Sequence, residues 1–318
     1  MDNKRFTYHA TGGALFMLLL KNGFLTVVTL GIYTFWAKAN TQKFMAENTE
    51  WAGERFSFHG TGKERFIGFL KALAILVVGG IVLQILGKIL GMISLTLAQI
   101  IPPILLAAFF LGVFPFVIVG SRKYLTSRTG FRNLRFGFDG KGLELAKIYL
   151  KGGLLTIVTL GIYYPWFYAE KEAYIASKTR YGNANFGFQV DGKEIFFIYL
   201  KGFFLSIITF GIYSSWFLAD LQNYIWNHRS FQGKKFQSDL TGGKVFLNII
   251  VAYAIVLFTL GFGLAWAIVR ISKLFLESIS LETEVDFGSI SAKADPTASA
   301  TAEGLEALAE TLEGFLTI

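Results

Sequence analysis

The sequence contains no cysteine, which excludes disulfides, thiolate metal sites and cysteine nucleophiles and leaves the redox compartment unread. Histidine is nearly as scarce. His9, His59 and His228 stand far apart, without a second ligand at metal spacing. Charged residues make up only 16% of the chain, against the ~25% typical of soluble domains. No Asp or Glu lies inside the long apolar stretches, so a carboxylate proton relay is unsupported. With no His/Asp/Glu cluster and no phosphate-cradling loop, the chain is not read as an enzyme, and no cofactor or metal is implied.

What the sequence has in excess is apolar and aromatic. Hydrophobic residues reach 53%, and Phe alone occurs 33 times. Residues 66–86 carry a single charge, Lys71, while residues 100–119 and 245–269 carry none. A bilayer core of ~30 Å takes roughly 20 helical residues, so all three are long enough to cross. The charge is unevenly placed. Residues 1–276 hold 29 Lys/Arg against 13 Asp/Glu, whereas 277–318 hold one Lys and nine acids. Basic residues that flank apolar spans suit anionic lipid headgroups better than nucleic acid, which is not expected as a partner. The opening Lys4-Arg5 and Ala14–Leu20 mimic a signal peptide, but no convincing cleavage site follows, and the segment is expected to be retained.

Self-similarity organises the chain. Phe6, Phe56, Phe136, Phe186 and Phe236 each open a short alternating segment, and each is followed six residues later by a glycine: Gly12, Gly62, Gly142, Gly192 and Gly242. The intervals are 50, 80, 50 and 50 residues, so the second copy carries a 30-residue insertion. A lysine inside the apolar stretch recurs as Lys21, Lys71, Lys151 and Lys201, with Val251 in the fifth copy. Thr-Leu-Gly-Ile-Tyr follows at Thr29–Tyr33 and Thr159–Tyr163, and in varied form at 209–213 and 259–263; an aromatic comes next at Trp36, Phe116, Trp166, Trp216 and Trp266. Each unit thus reads as a Phe-x-Phe strand, a glycine turn, an apolar helix, a Gly-Ile-Tyr break and a Trp-led amphipathic helix.

The expected fold is an all-α integral membrane protein with short Phe-x-Phe β-strands, built from five tandem repeats of about 50 residues. The units run 6–55, 56–135, 136–185, 186–235 and 236–276. Residues 277–318 are expected as an acidic, partly disordered tail with a candidate amphipathic helix over 302–316.

Phe-x-Phe, the glycine, the apolar helix and the run Leu154–Trp166 together resemble the YjgN-type bacterial inner-membrane proteins. The resemblance covers roughly residues 1–276 and implies a multi-pass protein of the bacterial inner membrane. It implies no activity, because that family has none assigned.

Two topologies fit. Either each short unit crosses once and the second twice, giving six spans, or each unit is a hairpin turning at Gly-Ile-Tyr. Outside the apolar stretches, hairpins put 23 of 24 Lys/Arg on one face and only Lys88 on the other, while six spans divide them 15 to 9. The positive-inside tendency favours hairpins, yet re-entrant segments need cover from protein or water. Both readings stay open.

Lysines deep in hydrocarbon cost ~2.5–3.5 kcal/mol each and so want a reason. Lys21, Lys71, Lys151 and Lys201 are the candidate solute- or headgroup-binding residues, with snorkelling along the helix as the plain alternative. Tyr33, Trp36, Tyr163, Trp166, Tyr213, Trp216 and Trp266 read as interfacial anchors. Gly31, Gly161 and Gly211, like the five repeat glycines, read as structural turns. Thr26, Thr29, Thr156, Thr159, Ser206 and Thr209 are expected to bond back to their own helix. The best functional guess is a transporter or channel for a small solute, with an anion as the candidate. The alternative is a membrane-organising, lipid-interacting structural protein. Anionic membrane lipids are the expected partner, and a homo-oligomer is left open.

Overall fold

The structure, a computed structural model, describes residues 5–283 and 285–291. Unit one comprises β1 (Thr7–Tyr8), α1 (Gly12–Val28), α2 (Thr34–Glu47) and β2 (Thr49–Trp51). The opening strand of each later unit starts two residues ahead of the expected bound, so unit two comprises β3 (Glu54–Arg55), β4 (Ser57–Phe58), α3 (Gly62–Ile93), α4 (Leu95–Arg128) and β5 (Thr129–Phe131). Unit three runs β6 (Leu134–Phe138), α5 (Gly142–Val158), α6 (Tyr164–Lys178) and β7 (Thr179–Tyr181). Unit four runs β8 (Ala184–Phe188), α7 (Gly192–Ile208), α8 (Ser214–Asn227) and β9 (Arg229–Phe231). Unit five runs β10 (Lys234–Ser238), α9 (Gly242–Phe258), α10 (Leu264–Glu277) and β11 (Ile279–Leu281), before a 3-10 turn at Phe287–Ser289.

In four of the five units the first helix starts on a polar side-chain cap, α5 of unit three with Lys141 at this position being the exception. Thr11, Thr61 and Thr241 accept from the N–H three residues on, and Asp191 accepts from Lys193. Thr61 and Glu64 complete a reciprocal capping box. Removing such a cap costs about 1 kcal/mol. In the four short units this helix ends at one repeated turn. Leu30 takes φ 52° and Gly31 φ 93°, and the pairs 160/161, 210/211 and 260/261 match them closely. The Gly31 N–H donates to Thr26 O at 2.8 Å, and the Tyr33 N–H donates to Thr29 Oγ1 at 2.9 Å. The chain then returns antiparallel along itself, as the pairings Lys151–Glu170 and Lys141–Tyr174 show. The helix pairs therefore have hairpin geometry.

Unit two has no such turn. Its helices reverse at Ser94, an extended residue, and their arms of 32 and 34 residues reach ~50 Å. Among the described residues these are the two helices long and apolar enough to cross a membrane; α1 and α9 are apolar but shorter.

Each helix packs on its neighbours in chain order, and α10 returns to α1. The strands close the same circuit. β4 to β11 form one antiparallel sheet and β1 to β3 another. β3 and β4 are one strand interrupted at Phe56, whose N–H still donates to Thr49 O at 3.0 Å. At the other seam, Arg5 bridges to Ser280 and the Phe6 N–H donates to Ile279 O at 3.1 Å. Trp51, Phe131, Tyr181, Phe231 and Leu281, one from each unit in the same register, are buried together, and Phe6, Phe56, Phe136 and Phe186 pack against them beside buried Phe236. The aromatic excess fills this ring of strands.

The expected tail boundary at 277 is too early. β11 supplies the fifth unit's closing strand, and Ile290 is buried in the ring core with Phe287 packed beside it. Phe287 stands edge-on to Trp51 at 5.4 Å, under the Arg132 guanidinium at 4.3 Å. The candidate helix over 302–316 lies outside the described residues.

Candidate functional site

The repeat glycines were expected as turns, but the structure gives them a different reason. Gly12, Gly62, Gly142, Gly192 and Gly242 are the first residues of their helices and have no positive φ. A Cβ on any of them would overlap the ring of the preceding unit's aromatic: Trp266, Trp36, Phe116, Trp166 and Trp216 respectively. The requirement is room, not backbone freedom. Gly31, Gly161 and Gly211 do take positive φ and are turn residues as expected.

The aromatics expected as interfacial anchors are therefore seam residues first. Tyr33 stacks on Trp36, Tyr163 on Trp166 and Tyr213 on Trp216, with ring centroids about 6 Å apart. Each tryptophan then meets a phenylalanine of the next unit. Trp36 packs on Phe66, Trp166 on Phe196, Trp216 on Phe246, and Trp266 on Phe16 of unit one. All four tryptophans keep part of their surface exposed.

The four lysines do not converge. Lys21, Lys71, Lys151 and Lys201 lie on the exposed faces of α1, α3, α5 and α7. Lys151 pairs with Glu170 at 3.2 Å and Lys201 with Asp220 at 3.1 Å, each across its own hairpin. Both lysine side chains remain more than half exposed. The acid partners were not singled out from the sequence. Their signal is a 19-residue spacing, which becomes legible once the chain is known to fold back. In unit one the acid's position holds Asn40, which donates to Asn22 Oδ1 and Tyr33 Oη, both at 3.3 Å. Five of the six hydroxyls behave as expected: Thr26, Thr29, Thr156, Thr159 and Thr209 donate to the carbonyl four residues back at 2.6–2.7 Å, whereas Ser206 makes no such bond.

Beyond Lys21, Lys151 and Lys201 the hairpin carries no charge up to its tip. No charge occurs between Lys151 and Glu170, or between Lys201 and Asp220. Leu30, Leu160, Phe210 and Leu260, the left-handed residues of the four turns, are 94%, 94%, 98% and 90% exposed. A side chain in that conformation costs about 1–2 kcal/mol, and an apolar one gains nothing from facing water. Exposed Phe24, Val27 and Val28 continue the band down α1, as Leu154, Ile157 and Val158 do on α5.

The sequence matches the family described as "Bacterial protein of unknown function (DUF898)" over residues 3–210 and 203–308. The chain belongs to this family. Among curated relatives it is similar to the inner membrane protein YjgN of Escherichia coli K12, 38% identical over 65 residues, which is 20% of this chain and 16% of that protein. It is also similar to the inner membrane protein YjgN of Salmonella typhimurium, 27% identical over 140 residues, which is 43% of this chain and 32% of the relative. The alignments thus span less than a third of those relatives' length. No solved structure matches the chain. These relatives support a protein of the inner membrane.

Proposed function

We propose that the protein organises the membrane, with four short hairpins seated in one leaflet and one long hairpin crossing the bilayer. The observation that carries this is the distance from lysine to tip. From Lys151 to Leu160 is nine residues, ~14 Å of helix, or about half of a ~30 Å hydrocarbon core. Lys21 to Leu30 and Lys201 to Phe210 repeat that interval, whereas Lys71 to Ile93 gives ~33 Å, a full core. With the lysines at headgroup level, the short tips rest near the bilayer midplane and the long one reaches the far side. Wedges in a single leaflet expand it relative to the other and so favour curvature. The basic strand ring would face the cytoplasm.

Single cysteines in this cysteine-free chain test the arrangement. At Asn185 a cysteine should react with an impermeant maleimide only in opened cells. At Ser94 it should react in intact cells, and at Leu160 in neither. Labelling of Leu160→Cys in intact cells would sink the half-depth reading. On reconstitution, vesicles should change shape; unaltered vesicles that instead leak small anions would favour transport. A transport path along the ring axis would have to pass the aromatic side chains that fill the strand ring.

A further inference from the structure

The helix ring holds a second feature that leaflet insertion does not use. Arg229 opens β9 and lies over the rings of Phe188 and Trp226, at 5.5 and 5.0 Å. Its Nη2 donates to Glu172 of α6 at 3.0 Å, while its Nε is buried without an acceptor. Glu172 is itself buried and also pairs with Lys171 at 3.3 Å. The Lys171 ammonium sits 4.9 Å from the Tyr168 ring. Arg122, from α4 of unit two, comes close enough to destabilise the Arg229 cation by repulsion. Among the described residues the Arg122 side chain makes no hydrogen bond or ion pair, its backbone carbonyl accepting from the Thr126 hydroxyl.

The arrangement is unbalanced. Lys171 and Arg229, from units three and four, share the Glu172 carboxylate. Arg122 of unit two adds a third cation whose charge acts on Arg229, so positive charge exceeds negative by two around a partly buried site. Burial already penalises the Arg229 cation, and like charges add to the cost. Such an excess persists where an anion relieves it. Arginine forks suit a tetrahedral oxyanion, since each offers two parallel N–H donors. Arg122 and Glu172 occupy equivalent positions in their units, where the other units carry Gln42, Gln222 and Ser272. Among the five units, only unit two carries a cation at this register.

We propose that Arg122, Lys171 and Arg229 form a binding site for a phosphate-type oxyanion, either a phospholipid headgroup or a free phosphate. Glu172 orients Arg229 within it. The inference stands independently of the leaflet reading.

The test uses the full chain in a neutral detergent at constant ionic strength, with thermal stability as the readout. Inorganic phosphate is one ligand arm. Phosphatidylglycerol, compared with phosphatidylcholine, is the other. The wild type should gain stability from at least one arm, and Arg122→Gln should need about tenfold more of that ligand for the same shift. Stabilisation by phosphatidylglycerol alone would identify a headgroup site, and stabilisation by inorganic phosphate a free-anion site. Arg122 is exposed and unpaired, so its variant should fold, with a Tm in the absence of ligand equal to or slightly above that of the wild type because one like charge near Arg229 is gone. Lys235→Gln, on the neighbouring strand β10 opposite Ser230, controls for general charge effects. The proposal is overturned if neither ligand stabilises the wild type, or if Arg122→Gln and Lys235→Gln respond alike.

Discussion

At the scale of single residues, two strained or crowded positions make opposite demands. Leu160 is held at φ 51° with its side chain exposed. Glycine adopts that conformation without strain, so Leu160→Gly should raise stability in detergent by up to about 1 kcal/mol. If the tip is a membrane contact, replacing all four tip residues with Gly should nonetheless weaken membrane retention, measured by extraction at alkaline pH. Retention equal to wild type would remove the tips from the membrane argument. Gly192 is the reverse case, because its Cβ would run into Trp166. Gly192→Ala should cost about 1–3 kcal/mol, read as a lower midpoint of thermal unfolding. Tyr181 carries a pH prediction. Its hydroxyl donates to Phe131 O at 2.7 Å, and burial pushes the phenol from 10.0 to about 12. A raised folded-state pKa means the unfolded chain ionises first, so stability is lost as pH rises from about 10 to about 12. The slope from this residue approaches about 1.4 kcal/mol per pH unit. Tyr181→Phe should flatten the decline over that window, and an unchanged decline would contradict the buried, neutral phenol.

At the scale of elements, the long hairpin is the natural experiment within the chain. The 30-residue insertion adds about fifteen residues to each arm, ~22 Å of helix. Deleting fifteen residues from each arm should leave a fifth short hairpin and an intact strand ring, and should remove the far-side exposure of its tip. A cysteine at the shortened tip would then resist impermeant label in intact cells; continued labelling would show that the short hairpins also cross. The periodicity of the sequence made these elements legible. Strand, helix, break and second helix follow from Phe-x-Phe, the apolar run and Gly-Ile-Tyr, and the structure has them in that order. Two things were less visible. Whether a break is a bend or a reversal depends on backbone angles at Leu30 and Gly31, which composition does not specify. The glycine at each later helix start and the aromatic 26 residues before it, in the preceding unit's second helix, touch across a seam between units, and Gly12 meets Trp266 from the far end of the chain, so neither predicts the other locally. The acidic composition after residue 277 also masked β11, although Ile279 and Leu281 continue the register of Thr49 and Trp51.

At the scale of the whole molecule, the unit array closes on itself, and closure has a consequence that no single unit carries. In an open array the first unit's glycine would face nothing, since no aromatic precedes it. In this chain Trp266 of the fifth unit fills that place against Gly12, and Arg5 meets Asp239 at 2.8 Å across the same seam. Gly12→Leu should therefore destabilise the protein about as much as Gly192→Leu, by more than 1 kcal/mol, although one lies at the chain's beginning and the other within it. Gly13, one residue on, has open space around its Cα. Gly13→Leu should be neutral or slightly stabilising, because leucine is the better helix former, and it adds the same bulk beside the seam. Thermal unfolding in detergent compares the three. A Gly12→Leu variant as stable as Gly13→Leu would mean that the first and fifth units do not meet, and a ring plugged by aromatics from all five units would no longer follow. Equal losses at Gly12 and Gly192 would make the closed circuit the unit of stability. The four leaflet-depth hairpins would then be held at fixed spacing around one rigid rim, which is what a device that imposes shape on a bilayer requires.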